Sequence, residues 1–254
     1  MAGRRGDLVT NLPALTKREF TANFYSPMAY VIATFYLLFA GLSFYILLRD
    51  QRDANAMRSL LTFLGFIHTI FIPMVTMRLI SEERKSGTLE MLVTAPVSDT
   101  EIAISKFLGA TLFTALMIAP TTLFTWVLTR INGRPDIGMI QASYVGLMLL
   151  SMSYIALGLF ISSLTANQIV AAILTFVTLF TFYFLVGFLT GSAESLPFHE
   201  KIPWPDILNY MHFGAHLQSF GKGLVDSRDV VYFASVISLG IFLTIKSLES
   251  RRWR

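Results

Sequence analysis

Cysteine is absent from the 254 residues. That excludes disulfides, thiolate nucleophiles and cysteine-ligated metals. Charge is scarce too: Asp, Glu, Lys and Arg together make up 14% of the chain, where soluble domains carry roughly a quarter. No Gly-x-x-x-x-Gly-Lys-Ser/Thr loop occurs, and Gly221–Lys222–Gly223 has neither its spacing nor its hydroxyl residue. ATP is therefore not expected to be bound through a phosphate loop of this chain. Internal repeats and low-complexity tracts are also missing.

Long apolar runs dominate instead, since 54% of the residues are hydrophobic. A helix needs about 20 apolar residues to cross the hydrocarbon core. Six such spans are expected, at 28–48, 60–78, 107–129, 140–163, 168–189 and 229–247. They leave no room for a large soluble domain, so residues 1–254 read as one membrane domain. The first run starts near Met28, too late and too long for a cleaved signal peptide, and reads as a retained span. The expected fold is an all-α integral membrane protein.

Lys and Arg set the orientation. The segments 1–27, 78–106 and 246–254 hold four each, the 163–168 turn holds none, and the alternate loops hold eight in total. Positive charge gathers on the cytoplasmic side. Both termini and the 80–105 segment are therefore expected inside, in a bacterial-type inner membrane. Arg251, Arg252, Trp253 and Arg254 form a basic, aromatic exit suited to that interface. The net charge of +4 is explained by lipid contact and calls for no nucleic-acid partner.

Three segments outside the spans carry structure. Residues 12–25 read as a short interfacial helix, with Leu15, Phe20 and Phe24 apolar and Lys17, Arg18 and Glu19 charged; Ser26–Pro27 ends it. The 80–105 segment begins with a helix that Ser81 can cap, with Glu82 and Glu83 at its positive end and Leu89, Leu92 and Val93 on one face. Pro96 breaks it, and Ser98 with Glu101 forms a capping box that starts the next helix. The segment 190–228 holds Pro197, Pro203 and Pro205, then a run from Ile207 to Phe220 with helical spacing but too short to cross. A re-entrant or interfacial helix pair on the outer side fits.

Candidate chemical sites are sparse. His212 and His216 are four apart on an expected helix, but neither they nor His199–Glu200 complete a zinc-protease pattern. No metal and no cofactor is expected on this chain. His68 falls inside the second span; it either lines a polar path or is a neutral histidine bonded to a neighbouring span. Pro73 and Pro120 lie inside spans, where they either kink the helix or serve packing alone. Ser151, Ser153, Gly158 and Ser162 suit close helix packing.

These stretches resemble a known family. Glu82-Glu83-Arg84, Gly87-Thr88-Leu89-Glu90, Leu92 and Pro96-Val97-Ser98 together look like the cytoplasmic signature of type-2 ATP-binding-cassette (ABC) permeases. Arg18-Glu19-Phe20 with Tyr25 to Tyr30, and His212-Phe213 with Phe220, Gly223, Asp226-Ser227-Arg228-Asp229 and Tyr232-Phe233, resemble the branch that holds gliding-motility permeases and the permease for nitrous-oxide-reductase maturation. The resemblance implies the type-2 ABC exporter fold and a homo- or heterodimer of six-span subunits. It also implies a separate ABC ATP-binding subunit that carries the ATP and Mg. Glu82, Glu83, Arg84, Gly87, Thr88 and Glu90 would then form the coupling helix that meets the ATPase, with Gly87 allowing close backbone approach. The outer re-entrant segment would comprise His212, Phe213, Asp226, Arg228 and Asp229, with Arg228 paired to a carboxylate. The function expected is an ATP-driven permease subunit. The alternative is a mechanotransmitter or anchor acting on an outer accessory protein, with nothing transported. A membrane enzyme finds no nucleophile and base to support it.

Overall fold

The computed structural model describes residues 12–50, 54–88, 97–132, 136–191 and 204–250. They fold almost wholly into helix, and no strand occurs among them. In chain order the helices are α1 (Leu12–Tyr25), α2 (Pro27–Asp50), α3 (Ala54–Thr76), α4 (Ser81–Ser86), α5 (Asp99–Ile118), α6 (Thr122–Asn132), α7 (Ile137–Leu164), α8 (Gln168–Phe180), α9 (Val186–Gly191), α10 (Trp204–Met211), α11 (Phe213–Gly221) and α12 (Ser227–Glu249). Six stretches among the described residues are long and apolar enough to cross a membrane: 27–49, 56–86, 99–131, 137–164, 168–190 and 227–249. Each overlaps one of the runs read from sequence; the second runs eight residues further at its end, the third begins eight residues earlier, and the fifth starts at the same residue.

Local chemistry explains the breaks. Ser26 lies outside both flanking helices, and Pro27 starts α2, where a missing N–H does no harm. Pro120 sits in a 3-10 turn, Ala119–Thr121, that joins α5 to α6 within the third span. Pro73 is carried inside α3. Ser98 Oγ accepts the Glu101 N–H while the Glu101 carboxylate accepts the Ser98 N–H, so the expected capping box starts α5. Asn167 Oδ1 accepts the N–H groups of Ile169 and Val170 and starts α8 after a three-residue turn. One feature left no mark in the sequence: a π-turn over Thr181–Leu185, between α8 and α9 in the fifth span.

The fourth span, α7, is the centre of the bundle, packed against α3, α5, α8, α11 and α12. Small residues let it approach its neighbours. A Cβ at Gly158 would fall 2.3 Å from Thr76 Oγ1, and one at Gly240 of α12 would fall 2.8 Å from the Ala156 backbone. Over their most apolar stretches, spans two, three and four are 67% buried, whereas one, five and six are 22% buried. Three helices therefore form the interior, and three present apolar faces outward.

His68 belongs to that interior. Ser151 Oγ donates to the Leu147 carbonyl at 2.6 Å, so toward His68 Nδ1, 2.9 Å away, it acts as acceptor. The proton therefore sits on Nδ1, and Nε2 accepts from the Tyr36 hydroxyl at 3.1 Å. Of the two readings of His68, the helix-bridging one is observed: the ring ties α3 to α2 and α7.

Candidate functional site

With six spans, α1, α4, the start of α5 and the 165–167 turn gather at one end of the bundle. Side chains of α1, α4 and α5 form a connected polar network there. The α4 helix begins without a cap of its own. Ile80 precedes it with no side-chain bond, and Ser81, expected as the cap, is the first helical residue. Its hydroxyl turns back instead to the Met77 carbonyl. The free N–H groups of Ile80 and Ser81 both donate to Ser162 Oγ, at 3.2 and 3.1 Å. A serine from the end of the fourth span thus does the capping. Arg84 Nη1 reaches toward the Ser163 carbonyl at 3.5 Å, from the same turn.

Lys106 is the hinge-pin of the network. Its side chain is 2% exposed, and its Nζ lies 2.7 Å from Glu83 Oε1 and 3.3 Å from Glu19 Oε2. One buried cation thereby joins α4, α1 and the third span. Arg18 also pairs with Glu19, at 2.8 Å. Burial raises the Glu19 carboxyl, but Lys106 and Arg18 together outweigh it and leave the group below its ordinary value. Gly109, one turn along α5, makes the approach possible: a Cβ there would meet Glu19 Cβ at 2.7 Å and the Phe20 amide nitrogen at 3.2 Å. Beside this cluster, Arg78 donates to Glu82 Oε2 at 3.0 Å and to Ser26 Oγ. Arg78 and Glu82 line an open groove of about 570 Å³ with Tyr25, Ser26, Pro27 and Gln168.

The expected coupling residues therefore divide into two sets. Glu83 turns inward, and its Oε2 is buried with no partner among the described residues. Glu82, Gly87 and Thr88 are exposed, as are the intervening Lys85 and Ser86. Gly87 is not placed by close approach within this chain, since a Cβ there meets nothing within 4 Å. Its φ of 73° is the left-handed conformation that terminates α4. Thr88 Oγ1 donates to the Glu83 carbonyl at 3.3 Å and completes that end. The helix expected over 81–92 thus closes at Ser86. Glu90, Leu89, Leu92, Val93 and Pro96 lie outside the described residues, as do His199, Glu200, Pro197 and Pro203.

At the opposite end, α10 and α11 form the expected helix pair. His212 is not on one helical face with His216; it is the residue between the two helices. Its Nε2 lies 2.8 Å from the Tyr183 carbonyl, in the π-turn, and its ring occupies the space above Gly187 and Gly214, 2.7 Å from a Cβ at either. Burial lowers the His212 imidazole below its ordinary value, against the carbonyl bond that raises it. A neutral ring then donates to Tyr183. His216 meets Asp229 and the Tyr210 carbonyl. Phe213 is buried against Tyr154, Phe182 and Tyr232. Asp226 caps α12 by accepting the Arg228 N–H at 2.9 Å. The expected ion pair of Arg228 is not formed among the described residues: its side chain is exposed, and the neighbouring carboxylate, Asp229, faces His216. No group of three or more His, Asp or Glu side chains that could hold a metal occurs among the described residues.

Sequence reasoning missed Lys106, which it counted only toward orientation. Its place at the mouth of an apolar run was the available signal, because a charge at a span's edge needs a partner.

Comparison with known families supplies the remaining observation. A profile described as "ABC-2 family transporter protein" matches residues 42–213. The chain belongs to the ABC-2 transporter family. It is accordingly a multi-pass membrane protein of the permease kind. Two curated relatives, both named "Probable multidrug ABC transporter permease YbhR", from Escherichia coli strain K12 and from Escherichia coli O157:H7, are each 27% identical over 145 residues. The match covers 56% of this permease and 38% of those relatives' length.

Proposed function

We propose that the permease pairs with a second permease subunit, identical or related, and is driven by a separate ABC ATP-binding subunit that carries the ATP and Mg. The exposed face of residues 82–88 is the handle for that subunit, and Glu90 continues it. The end bearing α1 and α4 lies in the cytoplasm of a cell bounded by an inner membrane, as the Lys and Arg balance indicates. The carrying observation is the Lys106–Glu83–Glu19 cluster. Because one buried cation ties three elements, a push on α4 is transmitted to α1 and to the third span as a rigid body. A solvated loop would absorb that push. The outward apolar faces of spans one, five and six suit lipid and a second subunit. Multidrug transport is the activity that the relatives' name supports.

A second reading, transmission of force to an outer accessory protein without transport, has one specific support. His212 fastens the outer helices to the π-turn of span five. Movement of that span would therefore move α10 and α11, together with the exposed Arg228 at their edge.

Charge reversal tests the handle. Like charges opposed in a desolvated contact are costly, by about 2–5 kcal/mol. Lys85→Glu, on an exposed residue, should lose co-purification of the ATP-binding subunit and substrate-stimulated hydrolysis while the chain itself folds. Glu83→Lys is not a clean test, because it also breaks the inner cluster. Unchanged assembly and hydrolysis in Lys85→Glu, and in Glu82→Lys, would reduce the 82–88 face to a solvated surface.

A further inference from the structure

We propose that His216 and Asp229 form a proton-binding site, in which one bound proton latches α11 onto the first turn of the last span. His216 Nε2 lies 3.0 Å from the Tyr210 carbonyl oxygen. A carbonyl only accepts, so Nε2 carries a hydrogen. His216 Nδ1 lies 2.7 Å from Asp229 Oδ1. An ionised carboxylate also only accepts. The contact is therefore made either by an imidazolium donating at both nitrogens or by a neutral ring accepting from a protonated carboxyl. Both arrangements hold one proton more than a neutral imidazole beside a carboxylate, and the proton belongs to the pair.

The surroundings fit that inventory. The Tyr232 ring stacks on the imidazole at 3.8 Å and 15°, with Tyr210 edge-on at 5.8 Å and Phe233 at 6.1 Å. Aromatic faces favour a cation. The Tyr232 hydroxyl donates to the Met211 carbonyl at 3.2 Å, which fixes the stacking ring. Asp229 is buried, and its Oδ2 has no partner among the described residues, so His216 is the group it leans on. Every element packed around α11 contributes a titratable or charged group. From α10 it is Tyr210, and from α12 Asp229, Tyr232 and the exposed Arg228. The π-turn supplies Tyr183, bonded to His212, and α7 supplies Tyr154 beneath Phe213. Arg58 of α3 approaches Gly221 at the far end of α11. Among these, Asp229 is the carboxylate at bonding distance from His216.

Loss of the proton leaves one ring hydrogen for two acceptors, Asp229 and the Tyr210 carbonyl, so one of the two contacts is lost and the latch loosens. On the side read as external, the outer helix pair then responds to the pH outside. The test is amide hydrogen exchange on the full chain in lipid nanodiscs. It requires no ATP-binding subunit, so its failure leaves the coupling proposal untouched. After correction for intrinsic exchange, protection of residues 213–221 should fall about tenfold or more from about pH 6 to about pH 9, while residues 147–159 of α7 hold theirs. Asp229→Asn should abolish that pH dependence and keep protection, because an amide can donate to Nδ1 while Nε2–H still serves Tyr210. Wild-type protection that does not change over this interval overturns the proposal without recourse to any variant. So does a pH-dependent loss that persists in Asp229→Asn.

Discussion

Lys106 neutralises carboxylates from two other elements, and its substitution leaves Glu83 without that counter-charge and Glu19 with Arg18 alone. Removing one partner from a buried ion pair typically destabilises by about 3–5 kcal/mol, because the charge left behind is uncompensated. Lys106→Met should sit near the lower figure, since Glu83 and Glu19 retain 20% and 12% side-chain exposure. Chemical denaturation of the reconstituted chain measures it. The triple variant Lys106→Met, Glu19→Gln, Glu83→Gln should recover most of the loss, since no bare charge remains. A single variant with wild-type stability would show that the cluster holds nothing. Residue by residue, the sequence disclosed what local grammar encodes. The Ser98–Glu101 box depends on two residues three apart, and the structure contains it. The cap of α4 was misassigned to Ser81 because its true acceptor, Ser162, lies 81 positions away. Arg228 forms no ion pair among the described residues, and the carboxylate beside it in sequence faces His216 in space.

At the scale of elements, the docking of α1 depends on an ionised Glu19. Its carboxyl lies below the ordinary value of 4.5. For a depressed carboxyl the stabilisation is fully present above the unfolded value and lost as pH falls through the folded one. A spin label on a cysteine at the exposed Lys17 position should report an immobile helix near neutrality and a mobile one once pH has fallen through the depressed Glu19 value. Glu19→Gln should remove that step. An α1 equally immobile throughout would mean that Phe20 and Phe24 hold it by packing alone. The spans themselves were legible because lipid demands about 20 apolar residues and keeps charges at the ends. Pro120 marked its own 3-10 turn. The π-turn at Thr181–Leu185 was not legible, because one extra residue per turn changes hydrogen-bond register and leaves composition untouched. Its stabiliser, His212, is distant in sequence and resembled half of a metal site.

Across the whole molecule, the account rests on sidedness and on who grips α4. The absence of cysteine makes both measurable with single introduced thiols. An impermeant thiol reagent should label Ser86→Cys from the cytoplasmic side and Gln218→Cys, on the exposed face of α11, from the other. Labelling of both from one side would contradict the six-span orientation. The more direct measurement joins the permease to its motor. Ser86→Cys, carrying a short thiol-linked photo-crosslinker, would be illuminated in membranes that contain a co-expressed ABC ATP-binding subunit, with Gln218→Cys as the opposite-end control. The account predicts a covalent adduct between permease and ATP-binding subunit from position 86, none from position 218, and a yield that changes when ATP is added. No adduct from position 86 in membranes where the two subunits still co-purify would contradict it.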